Sequence, residues 1–305
     1  MCQQGLEPPA DSRGGSALVA WLEESRRWSD ASLARWLDDA EDWPARLHEA
    51  VSYALLAGGK RLRPALVRLF CEANGGTLEQ AEPAARALEM IHTYSLVHDD
   101  LPCMDDDDLR RGRPTCHKVF GEALAVLAGD ALLTEALALL AEAPQRSADQ
   151  VRVLARAAGA VGMVGGQVLD MTLVGSSASP DEVRAVHRAK TASLIAAACE
   201  LGALAAGACE SARSGARRYG EALGLAFQAI DDVLDVVGDA DTLGKTPGKD
   251  EALDRATAVA SLGLEGARRE AGERAGEARQ AAGELGFGPG EIALQLVDSI
   301  LGRRR

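Results

Sequence analysis

Aromatic side chains are scarce in this chain: four Trp, four Phe and three Tyr among 305 residues, 4% in all. Sandwiches and barrels draw on aromatic and β-branched residues, and no alternating β-branched run makes up the shortfall. Cysteine is also sparse. Cys2, Cys71, Cys103, Cys116, Cys199 and Cys209 are scattered without a CxxC pair, which indicates neither a zinc site nor a disulfide framework and fits a reduced, cytoplasmic protein. A basic excess is missing too. Forty-six Asp and Glu against 33 Lys and Arg leave a net charge of −13, which repels nucleic acid and anionic lipid. The N-terminal Met1 to Ser16 is polar and holds no apolar signal core. The longest small-apolar stretch, Ser193 to Cys209, contains Glu200 and reads as a buried helix rather than a membrane span. No nucleic-acid or membrane partner is expected.

Ala, Leu, Glu and Arg are abundant and favour helices. From Ala17 onward, apolar residues recur at three- and four-residue steps, the helical period. Breaks fall at Trp43-Pro44, Gly58-Gly59, Asn74 to Gly76, Pro102, Arg111 to Pro114, Gly175 to Pro180, Gly238 to Gly248 and Gly286 to Gly290. Pro44, Pro64, Pro83 and Pro180 fit helix starts. No linker divides the chain, so the sequence predicts a loose tail over residues 1–15 and one all-α domain over 16–305. Trp21, Trp28, Trp36 and Trp43 recur at steps of seven and eight, the spacing of a helix-packing stripe.

Carboxylates are the unusual feature. His98-Asp99-Asp100-Leu101-Pro102-Cys103-Met104-Asp105-Asp106-Asp107-Asp108 places six acids within ten residues, directly after the apolar run Ile91 to Val97. Two like charges ~4 Å apart cost about 4 kcal/mol at an effective dielectric near 20, so a half-buried cluster of this kind calls for cations. A second set, Asp231-Asp232-Val233-Leu234-Asp235, interrupts the apolar run Leu223 to Val237. Asp231 and Asp235 share a helix face one turn apart, with Gln228 one turn earlier. Either set alone could be a salt-bridge patch; two on apolar helices point to metal. Oxygen donors select hard cations, Mg²⁺ first and Mn²⁺ second, which complete their shells with water and substrate phosphate.

Cations gather against the overall negative charge at Gly58-Gly59-Lys60-Arg61-Leu62-Arg63-Pro64 and Arg110-Arg111-Gly112-Arg113, with Lys190-Thr191 and Lys245 further on. Any one of these is ordinarily a solvated charge. Together they suit a second anionic group held directly by side chains. Two diphosphates, one bound through metal and one not, is the pattern inferred.

Asp99-Asp100-x4-Asp105 with Arg110-Arg111-Gly112, and Asp231-Asp232-x2-Asp235, resemble the two aspartate-rich motifs of the trans-isoprenyl diphosphate synthases. The resemblance runs from about Tyr53 to Asp250 and takes in Gly165-Gly166-Gln167 to Asp170, Lys190-Thr191, Phe227-Gln228 and Gly244-Lys245-Thr246. The four-residue gap in the first motif is similar to that of bacterial farnesyl and geranylgeranyl diphosphate synthases. On an unbroken helix Asp105 would face away from Asp99, and Pro102 is suited to interrupt it.

The resemblance implies a helical bundle around a deep central cavity, usually a homodimer. It places Asp99, Asp100, Asp105, Asp231, Asp232 and Asp235 around Mg²⁺ ions. Arg110, Lys190, Thr191, Gln228 and Lys245 would contact the allylic diphosphate, and Lys60, Arg63, His92 and Arg111 the isopentenyl diphosphate. Asp99, Asp100, Asp105, Arg110, Lys190, Asp231 and Lys245 would carry the chemistry. Tyr94, with Ser95 beside it, would form the floor that limits product length; an aromatic there favours farnesyl diphosphate, C15. Geranyl or geranylgeranyl diphosphate is the alternative product. A terpene cyclase would not need Lys60, Arg63 and Arg111, and a non-catalytic partner subunit would not need both motifs. The chain departs from the family where Lys-x-Thr-Tyr-Pro is usual: it reads Arg255-Ala256-Thr257-Ala258-Val259. The terminal Arg303-Arg304-Arg305 could reach the site, although a solvated end is the expected reading.

Overall fold

The computed structural model describes residues 11–303 except 41, 174–176, 238–254 and 289. It is built from helices: α1 (Asp11–Asp38), α2 (Ala45–Leu55), α3 (Leu62–Ala73), α4 (Leu78–Asp99), α5 (Cys116–Phe120), α6 (Glu122–Ala141), α7 (Ser147–Ala158), α8 (Met163–Thr172), α9 (Pro180–His187), α10 (Ser193–Ala205), α11 (Glu210–Val237), α12 (Ala258–Glu284) and α13 (Ile292–Leu301). The all-α prediction holds. The expected tail over 1–15 ends early, because α1 begins at Asp11, and residues 1–10 lie outside the described residues.

Local signals set several boundaries. Thr77 caps α4 by accepting the Gln80 N–H while Gln80 returns to the Thr77 N–H, and Ser179 with Glu182 does the same for α9. Pro44 is the N-cap of α2 and Pro180 opens α9. Pro83 does not start a helix as expected. It lies inside α4, where the Thr77 cap outweighs the single backbone hydrogen bond that proline forfeits.

One apolar cluster runs through most of the helices. Phe70, Leu88, Met90, Ile91, Leu132 and Tyr219 are among its fully buried members, and all four tryptophans pack at its margin. Trp36 and Trp43 meet edge to face with centroids 5.4 Å apart. Within this bundle α4 lies against α3, α6 and α10, while α11 lies against α10 and α12. The two acidic motifs, at the end of α4 and along α11, are thereby held on long, well-packed helices.

Three local features were not apparent from periodicity. A two-residue hairpin, β1 (Leu109–Arg110) with β2 (Arg113–Pro114), follows the first motif, turning through Arg111 and Gly112 at φ 55° and 74°. Residues Arg188–Ala192 form a π-helical turn between α9 and α10, a widening often found at functional sites. Finally, Ser193 to Ala205 is the buried helix expected, while the helix that passes a membrane-span test by length and composition is α6. Glu122–Ala141 has mean hydropathy 1.9 and is only one-third buried, so among the described residues one helix is long and apolar enough to span a bilayer by length and composition.

Candidate active site

Helix α4 ends where the first acidic motif begins. Asp99 is its last residue and Asp100 its C-cap. The chain then doubles back, with the Asp105 N–H donating to the Asp99 carbonyl at 2.8 Å and the Asp107 N–H to the Asp100 carbonyl at 3.2 Å. The interruption expected at Pro102 is present, and it returns Asp105 to Asp99. The hairpin supplies Arg110, whose Nε donates to Asp100 at 2.9 Å and whose Nη2 donates to the same oxygen and reaches Asp107 at 3.3 Å. Asp100 is buried, and burial raises its carboxyl above the ordinary range although this guanidinium partly offsets it. Asp99 is poorly compensated: burial, with Asp105 and Asp100 nearby, pushes its carboxyl up to about 6 despite Lys190 and Arg110.

Lys190 and Thr191 project from the π-helical turn. The Lys190 ammonium donates to Asp170 of α8 at 2.6 Å. Arg255, just before α12, donates to Asp105 and reaches Asp170 at 3.4 Å. Asp105, Arg255, Asp170 and Lys190 thus form a chain of alternating charge. The departure from the usual lysine keeps a cation against the first motif, and the fork of arginine spans two carboxylates at once.

The second motif is organised by Asp232. Its Oδ1 accepts from Gln228 Nε2 at 2.9 Å, and its Oδ2 accepts from the Ala258 N–H at 2.6 Å with His187 Nε2 at 3.2 Å. Thr191 donates to the Gln228 oxygen at 2.7 Å, tying the π turn to α11. Asp235 is buried one turn on. Asp231 accepts from Arg303 Nη1 at 2.8 Å, and that guanidinium lies 4.6 Å from the Phe227 ring centroid. Arg303 therefore reaches the site, where an acid and an aromatic face offer it two partners; residues 304 and 305 lie outside the described residues. A cavity of about 60 Å³ opens between the groups, lined by Asp170, Lys190, Thr191, Gln228, Asp232 and Arg255 among others.

A second cationic group lies around His92. Arg63 is half-buried, and its Nε is enclosed with no hydrogen-bond partner. Burial, then the charges of Arg63, Arg111, Arg61 and Arg110, hold the His92 imidazole well below its ordinary range, so it is neutral at pH 7. Arg111 donates to the Gly58 carbonyl and lies against Gly59, where an added Cβ would stand 2.8 Å from the guanidinium carbon. Gly59 also has φ +132°, the constraint that favours glycine there, whereas the Arg111 guanidinium could shift away from an added Cβ. Lys60 stands apart from the expected grouping: its charged neighbours are Arg303 and Asp231, and burial lowers its ammonium from the usual lysine value. Arg61, between the two predicted cations, is structural. It is buried, takes φ 48°, and is held by Asp30 at 2.8 Å, Glu89 at 2.5 Å and the Leu55 carbonyl at 2.8 Å.

Tyr94 is 6% exposed, and burial together with Asp99 pushes its phenol up to about 12. The Ser95 hydroxyl donates back to the His92 carbonyl at 2.9 Å, so its polarity is satisfied within α4. Lys245 lies outside the described residues. Three contributors escaped the sequence reading as site residues: Asp170, His187 and Arg303. Asp170 alone carried a signal, as the one acid in α8.

Among the described residues no three Asp, Glu, His or Cys side chains are gathered as a ready coordination cluster. Arginines engage the acids instead, Arg110 at Asp100, Arg255 at Asp105 and Arg303 at Asp231. The donor chemistry nevertheless fits a hard divalent cation. The donors are carboxylate oxygens, and Asp99 is crowded by like charges that an added cation would offset.

Comparison with known proteins agrees with this arrangement. The family model "Polyprenyl synthetase" matches residues 44–284. The farnesyl diphosphate synthase of Escherichia coli is 46% identical over 274 residues, 87% of this chain and 91% of that protein. The chloroplastic geranylgeranyl pyrophosphate synthase of Capsicum annuum is 47% identical over 243 residues, 78% of this chain and 66% of the relative. Among solved structures, an FPP/GFPP synthase from Zymomonas mobilis superposes with a TM-score of 0.81 at 35% identity, covering 94% of this chain and 99% of that one. With matched residues embracing both acidic motifs and both cationic groups, the chain belongs to the polyprenyl synthetase family.

Proposed function

We propose that this prenyltransferase condenses isopentenyl diphosphate with dimethylallyl and then geranyl diphosphate, ending at farnesyl diphosphate. The observation that carries the reading is the presence of two separate cationic groups beside one acidic centre. Lys190 and Arg255 flank Asp105 and Asp170, while Arg63 and Arg111 surround a neutral His92. Each suits one diphosphate. Terpene cyclisation would leave the second without a ligand.

Asp99, Asp100, Asp105, Asp231, Asp232 and Asp235 would hold Mg²⁺ or Mn²⁺, with Arg110 on Asp100 and Gln228 and the Ala258 N–H on Asp232 orienting those two carboxylates. The bound metal supplies Lewis-acid stabilisation of the departing pyrophosphate. Lys190, Arg110 and Arg255, with Lys245, bind the allylic diphosphate and take up negative charge as its C–O bond breaks. Thr191 and Gln228 fix the position of that leaving group. Arg63, Arg111 and His92, with Lys60 at the boundary, hold the isopentenyl diphosphate so that its double bond faces the allylic C1. The new C–C bond forms there, and the released pyrophosphate accepts the proton that leaves C2. No side chain acts as a nucleophile.

Product length rests on Tyr94, a buried aromatic five residues before Asp99. Similarity to the Capsicum annuum geranylgeranyl pyrophosphate synthase supports a C20 product as the second reading. A second copy of this chain is the expected partner. Val126 and Leu127 of α6, and separately Val164, Val168 and Met171 of α8, are exposed apolar side chains that an interface between copies would cover. The free thiols of Cys71, Cys103, Cys116, Cys199 and Cys209 suit the cytoplasm. Asp99→Ala and Asp231→Ala should each lower turnover by orders of magnitude. Near-normal turnover in both would overturn the assignment.

A further inference from the structure

Tyr94 does not stand alone in α4. One turn on, the His98 imidazole meets its ring edge to face, with centroids 5.8 Å apart and planes at 76°. The other side of the imidazole is seated on α6, where its Nε2–H donates to the Val126 carbonyl at 3.0 Å. Directly beneath lies Gly129. A Cβ there would fall 2.1 Å from His98 Nε2, 2.5 Å from Cδ2 and 2.7 Å from Cε1, an overlap that the ring cannot absorb in place. Gly129 is buried in the interior of α6, where alanine would serve the helix better. Its smallness is therefore explained by the ring it accommodates.

We propose that His98 is a positioning residue for product length: held in the Gly129 notch and anchored to Val126, it braces the Tyr94 ring. This rests on the reading of Tyr94 as the floor and names what holds that floor in place. The geometry supports a brace, because α4 and α6 pack directly against each other and the imidazole spans the gap between them. Removing the imidazole, or displacing it with a methyl group on Gly129, gives Tyr94 room to turn aside while its own side chain remains present. The growing chain then passes a residue that still looks like a stop in the sequence.

The test measures the ratio of C20 to C15 product, together with kcat/KM for geranyl diphosphate, in the full-length enzyme. The variants are Tyr94→Ala, His98→Ala, His98→Phe, Gly129→Ala and the pairs that combine them. Expected is a several-fold rise in the ratio for His98→Ala and for Gly129→Ala, with a smaller rise for His98→Phe, which restores a ring. The Gly129→Ala change should add nothing to His98→Ala, and neither should add to Tyr94→Ala. If Gly129→Ala does not fold, His98→Ala against His98→Phe decides the matter. Longer product from Tyr94→Ala with an unchanged ratio in His98→Ala would overturn the brace and leave the floor standing. An unchanged ratio in Tyr94→Ala would overturn both. Loss of stability or kcat without a change of ratio marks His98 as merely structural and also overturns the brace.

Discussion

Arg303, near the C-terminus, donates to Asp231 at 2.8 Å across 72 positions of sequence, and its guanidinium lies over Phe227. A protein cation thus stands at the leading carboxylate of the second acidic motif, with Lys60 nearby. A divalent metal held by Asp231, as proposed, would have to compete with it. A half-exposed ion pair is worth up to about 1 kcal/mol, so Arg303→Ala should lower the half-saturating Mg²⁺ concentration by up to ~fivefold. A Mg²⁺ titration followed by thermal midpoint, without substrate, checks this. An unchanged midpoint concentration would show that Arg303 does not compete.

Asp231 and Asp232 are adjacent in sequence yet differ in environment. Asp232 is buried and accepts from Gln228 and the Ala258 N–H, with His187 beside it, so Asp232→Ala leaves several buried donors without an acceptor. A loss of about 3 kcal/mol in stability follows. Asp231→Ala should cost under about 1 kcal/mol, as expected for a partly exposed pair. Urea denaturation of both variants separates the roles; equal losses would contradict the division.

The His92 imidazole is held below its unfolded value by burial and by surrounding arginines. In the unfolded chain it takes up a proton as pH falls through about 6.5, whereas in the folded protein it does so only at lower pH. The folded state is therefore unburdened above pH 7 and loses stability as pH drops below 6.5. His92→Gln should match the wild type at pH 8 and lose less stability between pH 6.5 and 5. Parallel curves across that range would contradict the assignment.

Gly59→Ala introduces a Cβ 2.8 Å from the Arg111 guanidinium at a backbone angle that disfavours side chains. On the proposed reading its effect falls on isopentenyl diphosphate binding. KM for that substrate should rise about tenfold, roughly the 1.4 kcal/mol of one weakened charged contact, with KM for geranyl diphosphate little changed. Equal increases would place Arg111 elsewhere.

The sequence disclosed the chemistry more fully than the geometry. Two acidic motifs on apolar helices, and the break at Pro102, were readable because charge in an apolar run needs a reason and a helix has a fixed period. Which acids are already occupied was not readable. Asp100 and Asp99 are neighbours of one residue type, yet a hairpin too short for any periodic signal delivers Arg110 to one of them. The same limit hid Arg61, whose burial depends on Asp30 and Glu89 from other helices, and Arg303, whose partner lies far away along the chain. The capping box at Thr77 could have corrected the helix start assigned to Pro83, since a T-x-x-Q pattern is local.

The most direct test of the account supplies isopentenyl diphosphate with dimethylallyl, geranyl or farnesyl diphosphate, with and without Mg²⁺, and sizes the dephosphorylated products by chromatography. The account predicts metal-dependent elongation of the first two substrates that stops at C15, with little extension of farnesyl diphosphate. Growth to C20 as the main product would contradict the role given to Tyr94. Cyclic hydrocarbon, or no condensation in any mixture, would contradict the function itself.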